Sequence, residues 1–310
     1  MNLDELNSKY GISEQLSFKA GKANIPIVEV CNAQASAKVS LQGAQVLSWQ
    51  PKNSAGQLEE VIWLSDEATF APGKSVRGGI PICWPWFGAH ESNAQFPAHG
   101  FARVSLWQVF STESLVDGRT RISFILEADD TNKHMWPPQT SVLFQLTIGT
   151  KLEMELVTHN KSDQAITISQ ALHTYFKVGD VSQLALHGLS DTQYLDKLEN
   201  FKRKTQKGPI TINEEVDRIY LDTETDCVIE DKVLKRNIVI IKCGSHSTVV
   251  WNPWAESAAK MGDLGVDGYK QMLCVESSNA AEDVVVIAPG TDHHLWVQYG
   301  VVAHSNEAAL

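Results

Sequence analysis

Two residues have the chemistry for proton transfer. His173 lies in Leu172-His173-Thr174-Tyr175-Phe176, inside a run rich in Ile, Leu and Phe, and Glu276 closes the apolar run Met272-Leu273-Cys274-Val275. An imidazole with an ordinary pKa near ~6.5 gives or takes a proton at neutral pH. A carboxylate among apolar residues has its pKa tuned by its surroundings, which suits a general base. Each has a plainer alternative: a hydrogen-bonded core histidine, and a strand-end glutamate reaching solvent. Arg77, His99 and Arg103 share one Gly-rich excursion. The guanidinium fork suits phosphate or carboxylate, and the plainer alternative is a set of surface ion pairs. Asp217 in Val216-Asp217-Arg218-Ile219-Tyr220 reads alone as a turn aspartate starting a strand. Trp251 and Trp254 are either core or an apolar platform for the C–H face of a sugar ring.

Several chemistries have no support. There is no G-x-x-x-x-G-K-[ST], G-x-G-x-x-G, G-x-S-x-G or H-E-x-x-H, and Arg77-Gly78-Gly79 is not a phosphate loop. His293-His294 superficially suggests a metal pair, but adjacent strand residues face opposite sides, so a metal is not expected there. The cysteines, Cys31, Cys83, Cys227, Cys243 and Cys274, are odd in number and scattered without a C-x-x-C, so neither a disulfide framework nor a zinc site is indicated. Lys+Arg is 26 against 37 Asp+Glu, a net charge of -11, which argues against a broad nucleic-acid-binding surface but not against an anion held by a few convergent arginines. No apolar run approaches the roughly 18 residues of a membrane span. The first residues lack a basic segment followed by an apolar one, so the cytoplasm is the expected compartment.

The elements that must position these groups read as strands. Candidates are 25–30, 37–41, 44–49, 61–64, 105–110, 120–128, 141–148, 151–158, 165–174, 184–187, 228–229, 237–242, 248–251, 272–276, 284–287 and 293–299. Turns such as Leu41-Gln42-Gly43-Ala44 and Ile148-Gly149-Thr150-Lys151 join neighbours. Turns recurring about every 8–12 residues, without βαβ alternation, predict an all-β antiparallel sandwich or barrel. Helix is expected only at Leu3–Tyr10 and as a single turn at Glu256–Met261, with disorder confined to Met1–Lys9 and Ser305–Leu310. The 310 residues show no linker, composition shift or repeat, so one large β domain over 1–310 is expected although length alone suggests about two. Two stretches break the strand pattern. One is the aromatic, Pro/Gly-rich segment 71–103, too long for an ordinary loop. The other is Trp251-Asn252-Pro253-Trp254.

Taken together, the motifs resemble a known family. Arg77-Gly78-Gly79-Ile80-Pro81-Ile82-Cys83-Trp84-Pro85-Trp86-Phe87-Gly88, followed by His99-Gly100-Phe101-Ala102-Arg103, is similar to the D-hexose-6-phosphate mutarotases. These are the glucose-6-phosphate 1-epimerases of the aldose 1-epimerase, or galactose mutarotase-like, superfamily. The segments holding His173, Asp217, Trp251–Trp254 and Glu276 follow in that family's order, and the resemblance covers about residues 20–300. It implies a large antiparallel β-sandwich with a cofactor-free and metal-free site on a concave face. His173 matches the family's general acid, Glu276 its general base, and Arg77, His99, Arg103 and Asp217 its substrate-binding positions. Ala98 departs from the glutamine that often precedes the H-G-x-A-R motif, and Ser277 from the Pro or Gly also seen after the glutamate.

The implied reaction is the interconversion of the α and β anomers of a hexose 6-phosphate, glucose 6-phosphate first. A base takes the O1 proton, an acid protonates the ring oxygen, the aldehyde turns about C1–C2, and the ring closes on its other face. Arg77 and Arg103, with Lys74 as an additional candidate, would hold the phosphate. The competing expectations are an aldose 1-epimerase for neutral sugars and a non-catalytic carbohydrate-binding protein. The expected partner is a small phosphosugar, with no nucleic acid or membrane, and the expected assembly is a monomer.

Overall fold

The computed structural model describes residues 2–303. Every pairing between named strands is antiparallel, as the absence of βαβ alternation implied. Two eight-stranded sheets dominate, with a four-stranded and a two-stranded sheet beside them. One large sheet runs in the order 184–187, 227–231, 236–243, 292–303, 151–160, 140–148, 120–127, 108–114. Its strands alternate buried and less buried positions, as in Lys151–Asn160, which is the mark of a sheet with one face on the core. The other, here called the site sheet, runs 202–205, 193–196, 216–221, 247–252, 272–279, 170–172, 82–83, and Tyr175–Lys177 also pairs with Met272–Asn279. All eight positions of Met272–Asn279 are buried, so this strand is covered on both faces. The main apolar cluster reaches from Leu6 to Tyr299 and draws on both large sheets.

Most expected strands are present, several with shifted ends. Three readings need correction. The expected strand 61–64 makes only isolated bridges, Ile62 to Phe176 and Leu64 to Gly78, because it follows an irregular path between sheets. The expected strand 165–174 is two short ones, Ile166–Ile168 and Gln170–Leu172, the first of which joins the separate two-stranded sheet, and a further strand, Tyr175–Lys177, follows just beyond it. The segment Met1–Lys9 is not a disordered end across its described part, since Leu3–Tyr10 is helical. Asn2 caps that helix by accepting from the Asp4 N–H, Leu6 is buried, and the Asn7 side chain pairs with the Phe18 backbone. The expected disorder at Ser305–Leu310 lies outside the described residues. Strands 16–20, 82–83, 193–196 and 202–205 were not anticipated. Among the described residues no helix is long and apolar enough to cross a membrane.

Candidate active site

Antiparallel register decides which side chains share a face, because directly opposed residues point the same way. Asp217 opposes Trp251, Trp251 opposes Cys274, and Cys274 opposes Tyr175, which makes one row across four strands. The next row on the same face is Ile219, Val249 and Glu276. Leu172 opposes Ser277 and Tyr175 opposes Cys274, so continuing that register sets His173 across from Glu276. Here the ladder to that strand is interrupted: the Thr174 N–H turns back to the Leu172 carbonyl, while the His173 N–H donates to the Pro81 carbonyl on the opposite side. The result is a contact of 3.3 Å between His173 Nε2 and Glu276 Oε1, at side chains 12% and 1% exposed. The other atoms of the pair, His173 Nδ1 and Glu276 Oε2, are buried and have no hydrogen-bond partner among the described residues.

Burial dominates the electrostatics of this pair. It pushes the Glu276 carboxyl well above its ordinary range, against the pull of Lys197 and with the push of Asp217. It holds the His173 imidazole well below its ordinary value, helped by His99 and Arg103. Both groups are thus driven toward their neutral forms, and they titrate as one unit rather than separately.

The segment 71–103 supplies the opposite wall. Gly78 has φ 103°, and a Cβ there would run into the Trp63 carbonyl, so only glycine carries the chain past Leu64, with which it bridges. Gly100 has φ 71°, and a Cβ there would overlap the Trp84 carbonyl, beside which it forms a parallel bridge. The Gly-Gly and His-Gly motifs therefore mark close backbone approaches that hold Arg77 and His99. His99 itself is left-handed, with φ 66°, an unfavourable setting for a non-glycine residue. It is held there by its N–H to the Gly88 carbonyl at 2.6 Å and by the Gly88 N–H to its Nδ1 at 3.3 Å. With Nδ1 accepting, the neutral ring carries its proton on Nε2. Burial, then Arg103, Lys197 and Arg77, push His99 down to about 3, so it is a neutral donor at working pH.

A cavity of about 280 Å³ lies over this face. All six anticipated residues line it: Arg77, His99, Arg103, His173, Asp217 and Glu276. Arg77 donates Nε–H to Asp263 at 3.0 Å and Nη1–H to the Tyr175 hydroxyl at 3.2 Å, which uses two of its five donors. Arg103 donates to the Ala98 carbonyl at 2.7 Å and, among the described residues, has no carboxylate within ion-pair distance. Lys74 is exposed and is not among the residues that line the cavity. The third cavity cation is instead Lys197, which pairs with Asp217 at 2.7 Å. Nothing in Asp196-Lys197-Leu198-Glu199 distinguishes it in sequence from a solvated turn lysine. The aromatic question divides. Trp251, Phe87 and Tyr175 line the cavity, Trp84 and Trp86 are core, and Trp254 packs on Tyr269 outside it. Tyr175 stacks on His173 at 5.0 Å and 15°, with Trp251 edge-on to both rings.

His173, Cys274 and Glu276 offer ligand atoms within 4.8 Å of one another. Burial holds both the Cys274 thiol and the Glu276 carboxyl toward their protonated forms. His293 and His294 are apart from the site, hydrogen-bonded to Asn279 and Glu155 respectively.

Comparison with known proteins agrees with the geometry. The family model described as aldose 1-epimerase matches residues 26–300. A protein of Escherichia coli (strain K12) named "Putative glucose-6-phosphate 1-epimerase" is 37% identical over 259 residues, covering 83% of this chain and 84% of that one. A protein of the same name from Cenchrus ciliaris is 36% identical over 265 residues, covering 83% and 78%. Among solved structures, a mutarotase from Salmonella typhimurium, itself described as putative, superposes with a TM-score of 0.87 at 30% identity over 97% of this chain and 99% of that one. A galactose 1-epimerase from Lactobacillus acidophilus, at 13% identity and TM-score 0.69, covering 94% and 99%, shares the fold.

Proposed function

The chain belongs to the aldose 1-epimerase family, and from that footing we propose that it interconverts the α and β anomers of a hexose 6-phosphate, with glucose 6-phosphate as the first candidate. The observation that carries this reading is the His173–Glu276 contact of 3.3 Å on the cavity floor, flanked by three cations. Ring opening removes a proton from O1 and adds one to the ring oxygen, and ring closure reverses both transfers. The pair holds one proton between two groups that burial drives neutral. Passing that proton from Glu276 to His173 leaves a carboxylate to accept from O1 and an imidazolium to donate to the ring oxygen. The net charge of the buried site is unchanged, so the transfer needs no counter-ion to enter. Each positioned proton-transfer group contributes roughly 10²–10⁴-fold.

The 6-phosphate is assigned to the Arg103 side of the cavity. Asp263 already balances the charge of Arg77 and Asp217 that of Lys197, whereas Arg103 has no such carboxylate among the described residues. A dianion gains most where the cation is unneutralised. Arg77 contributes its remaining donors and helps fix the register of the sugar. His99 donates Nε2–H to a substrate oxygen, and Asp217 accepts from ring hydroxyls. The proposal takes the enzyme to be a single-domain monomer. The proposed compartment is the cytoplasm, where a phosphosugar is retained by its charge.

The test is anomer exchange measured by saturation-transfer NMR on glucose 6-phosphate beside unphosphorylated glucose and galactose. Acceleration of the phosphosugar supports the reading. Acceleration of free sugars alone moves the protein to neutral aldoses, and acceleration of none overturns glucose 6-phosphate as the substrate.

A further inference from the structure

We infer that Lys197 is a positioning residue of this reaction: paired with Asp217 on the cavity wall, it holds the hydroxyl-binding carboxylate and places a fixed positive charge on the same sheet face as Glu276. The inference rests on the mutarotase reading and extends it to a residue with no motif.

The placement of Lys197 follows from register. Strand Gln193–Asp196 pairs with Val216–Leu221, Asp196 opposing Arg218. One step further sets Lys197 across from Asp217, at the point where the first strand gives way to the turn Lys197–Glu199. The Asp196 side chain caps that turn by accepting from the Leu198 N–H, which fixes the direction in which Lys197 leaves the strand. The row is thereby extended to Lys197, Asp217, Trp251, Cys274 and Tyr175, all on the Glu276 face. With strands about 4.8 Å apart, Asp217 lies two strands, or about 10 Å, from the Glu276 strand. That interval is what a substrate ring fills between the hydroxyl-binding and proton-transferring groups.

The neighbouring charges make Lys197 the counterweight to the acids. Asp217 is surrounded by Lys197 and by the acids Glu215 and Asp196. Asp196 is itself paired with Lys204 at 2.8 Å, which leaves Lys197 to Asp217. Glu276 faces His173 and Cys274 at close range, Tyr175 on the adjacent strand, and Asp217, Arg103 and Lys197 further across the cavity. Lys197 is the largest charge influence opposing the burial of both Asp217 and Glu276. Arg77, tied to Asp263, and Arg103, tied to Ala98, approach from the other wall.

The deciding variant is Lys197→Gln, which keeps a hydrogen-bond donor for Asp217 and removes the charge, with Lys197→Arg as the conservative restoration. For Lys197→Gln we expect kcat/KM on glucose 6-phosphate to fall about 10–100-fold, mainly in kcat. Removing a cation raises proton affinity, so both limbs of the pH profile move to higher pH. Lys197→Arg restores the profile. An unmoved profile, or a loss confined to KM for the phosphorylated sugar, overturns the inference, the latter outcome making Lys197 a phosphate ligand. A second measurement needs no turnover: infrared titration of the Glu276 carboxyl, identified by difference against Glu276→Gln. The carboxyl should retain its proton to higher pH in Lys197→Gln than in the unsubstituted protein. Equal titration in both overturns the inference even if the enzyme acts on another sugar. Inactivity of the unsubstituted protein toward hexose 6-phosphates, with the infrared shift present, overturns only the substrate reading.

Discussion

His173 and Glu276 meet at 3.3 Å because they are cross-strand neighbours at the point where the backbone ladder is interrupted. The His173 N–H donates to Pro81 on the other side, the Thr174 N–H turns back to the Leu172 carbonyl, and the imidazole faces the carboxylate. The proposed proton-transfer pair is thereby built into the sheet rather than into a loop.

Substituting either partner should therefore remove chemistry and leave the fold. His173→Asn and Glu276→Gln should each lower kcat for anomer exchange by roughly 10²–10⁴-fold. The double variant should be little worse than the poorer single one, because the two act as a unit. Circular dichroism and substrate binding should be retained, and additive losses would separate the two roles.

The pH profile should be a broad plateau. Adding a second proton to the pair requires charging a buried imidazole, which burial and Arg103 oppose, so the acid limb falls below the ordinary ~6.5. Losing the shared proton requires charging a buried carboxyl, so the alkaline limb lies well above the ordinary ~4.3. Measured kcat/KM from acid to alkaline pH checks both limbs, and a limb centred at an unperturbed value would place that group in solvent.

Arg103→Ala should discriminate between substrates. Loss of a charge-assisted bond to phosphate is worth about 1.5–3 kcal/mol, or roughly 10–150-fold in kcat/KM for glucose 6-phosphate. Unphosphorylated glucose should lose much less. Asp263→Asn should act in the opposite sense at low ionic strength, since it frees the Arg77 charge for the anion. Comparison of the two sugars on both variants reads this directly.

Gly100→Ala should damage the site through the backbone. The added methyl overlaps the Trp84 carbonyl at a left-handed residue, so we expect a stability loss of at least ~2 kcal/mol. His99 and Arg103 move with that loop, so activity should fall with stability. Urea unfolding and anomer exchange on the same sample measure the two together.

His99 gives a stability slope of known sign. Its folded pKa is depressed to about 3, whereas in the unfolded chain it protonates near ~6.5. The unfolded state therefore binds the extra proton in that window, and His99 lowers stability as pH falls from ~6.5 toward 3. Unfolding free energies for the unsubstituted protein and His99→Asn across that range should diverge, the variant showing the shallower dependence.

The site was legible in sequence where chemistry and backbone constraint coincide. Arg77 with Gly78, and His99 with Gly100, advertise both a functional side chain and a close approach that excludes a Cβ. Glu276 was legible as an acid after an apolar run, but the strand continues through Ser277, Ser278 and Asn279. All three are buried, and Ser278 and Asn279 are hydrogen-bonded to Ser247 and Gln170, partners that come from distant segments. Lys197 was not legible, because its role arises only when Asp196 pairs with Arg218. Tyr175 was hidden for the same reason: its partners Arg77 and Trp251 lie far away in sequence. The antiparallel class was readable from turns and strand spacing, whereas the division of 165–174 between two sheets depends on the remote strand Val285–Ile287.

The complete burial of Met272–Asn279 has a dynamic consequence. Amide protons along a strand covered on both faces exchange with solvent only through the largest openings of the molecule. The backbone beside Glu276 should thus be among the slowest to take up deuterium, while residues 89–98, at the exposed tip of the segment carrying His99, should exchange early.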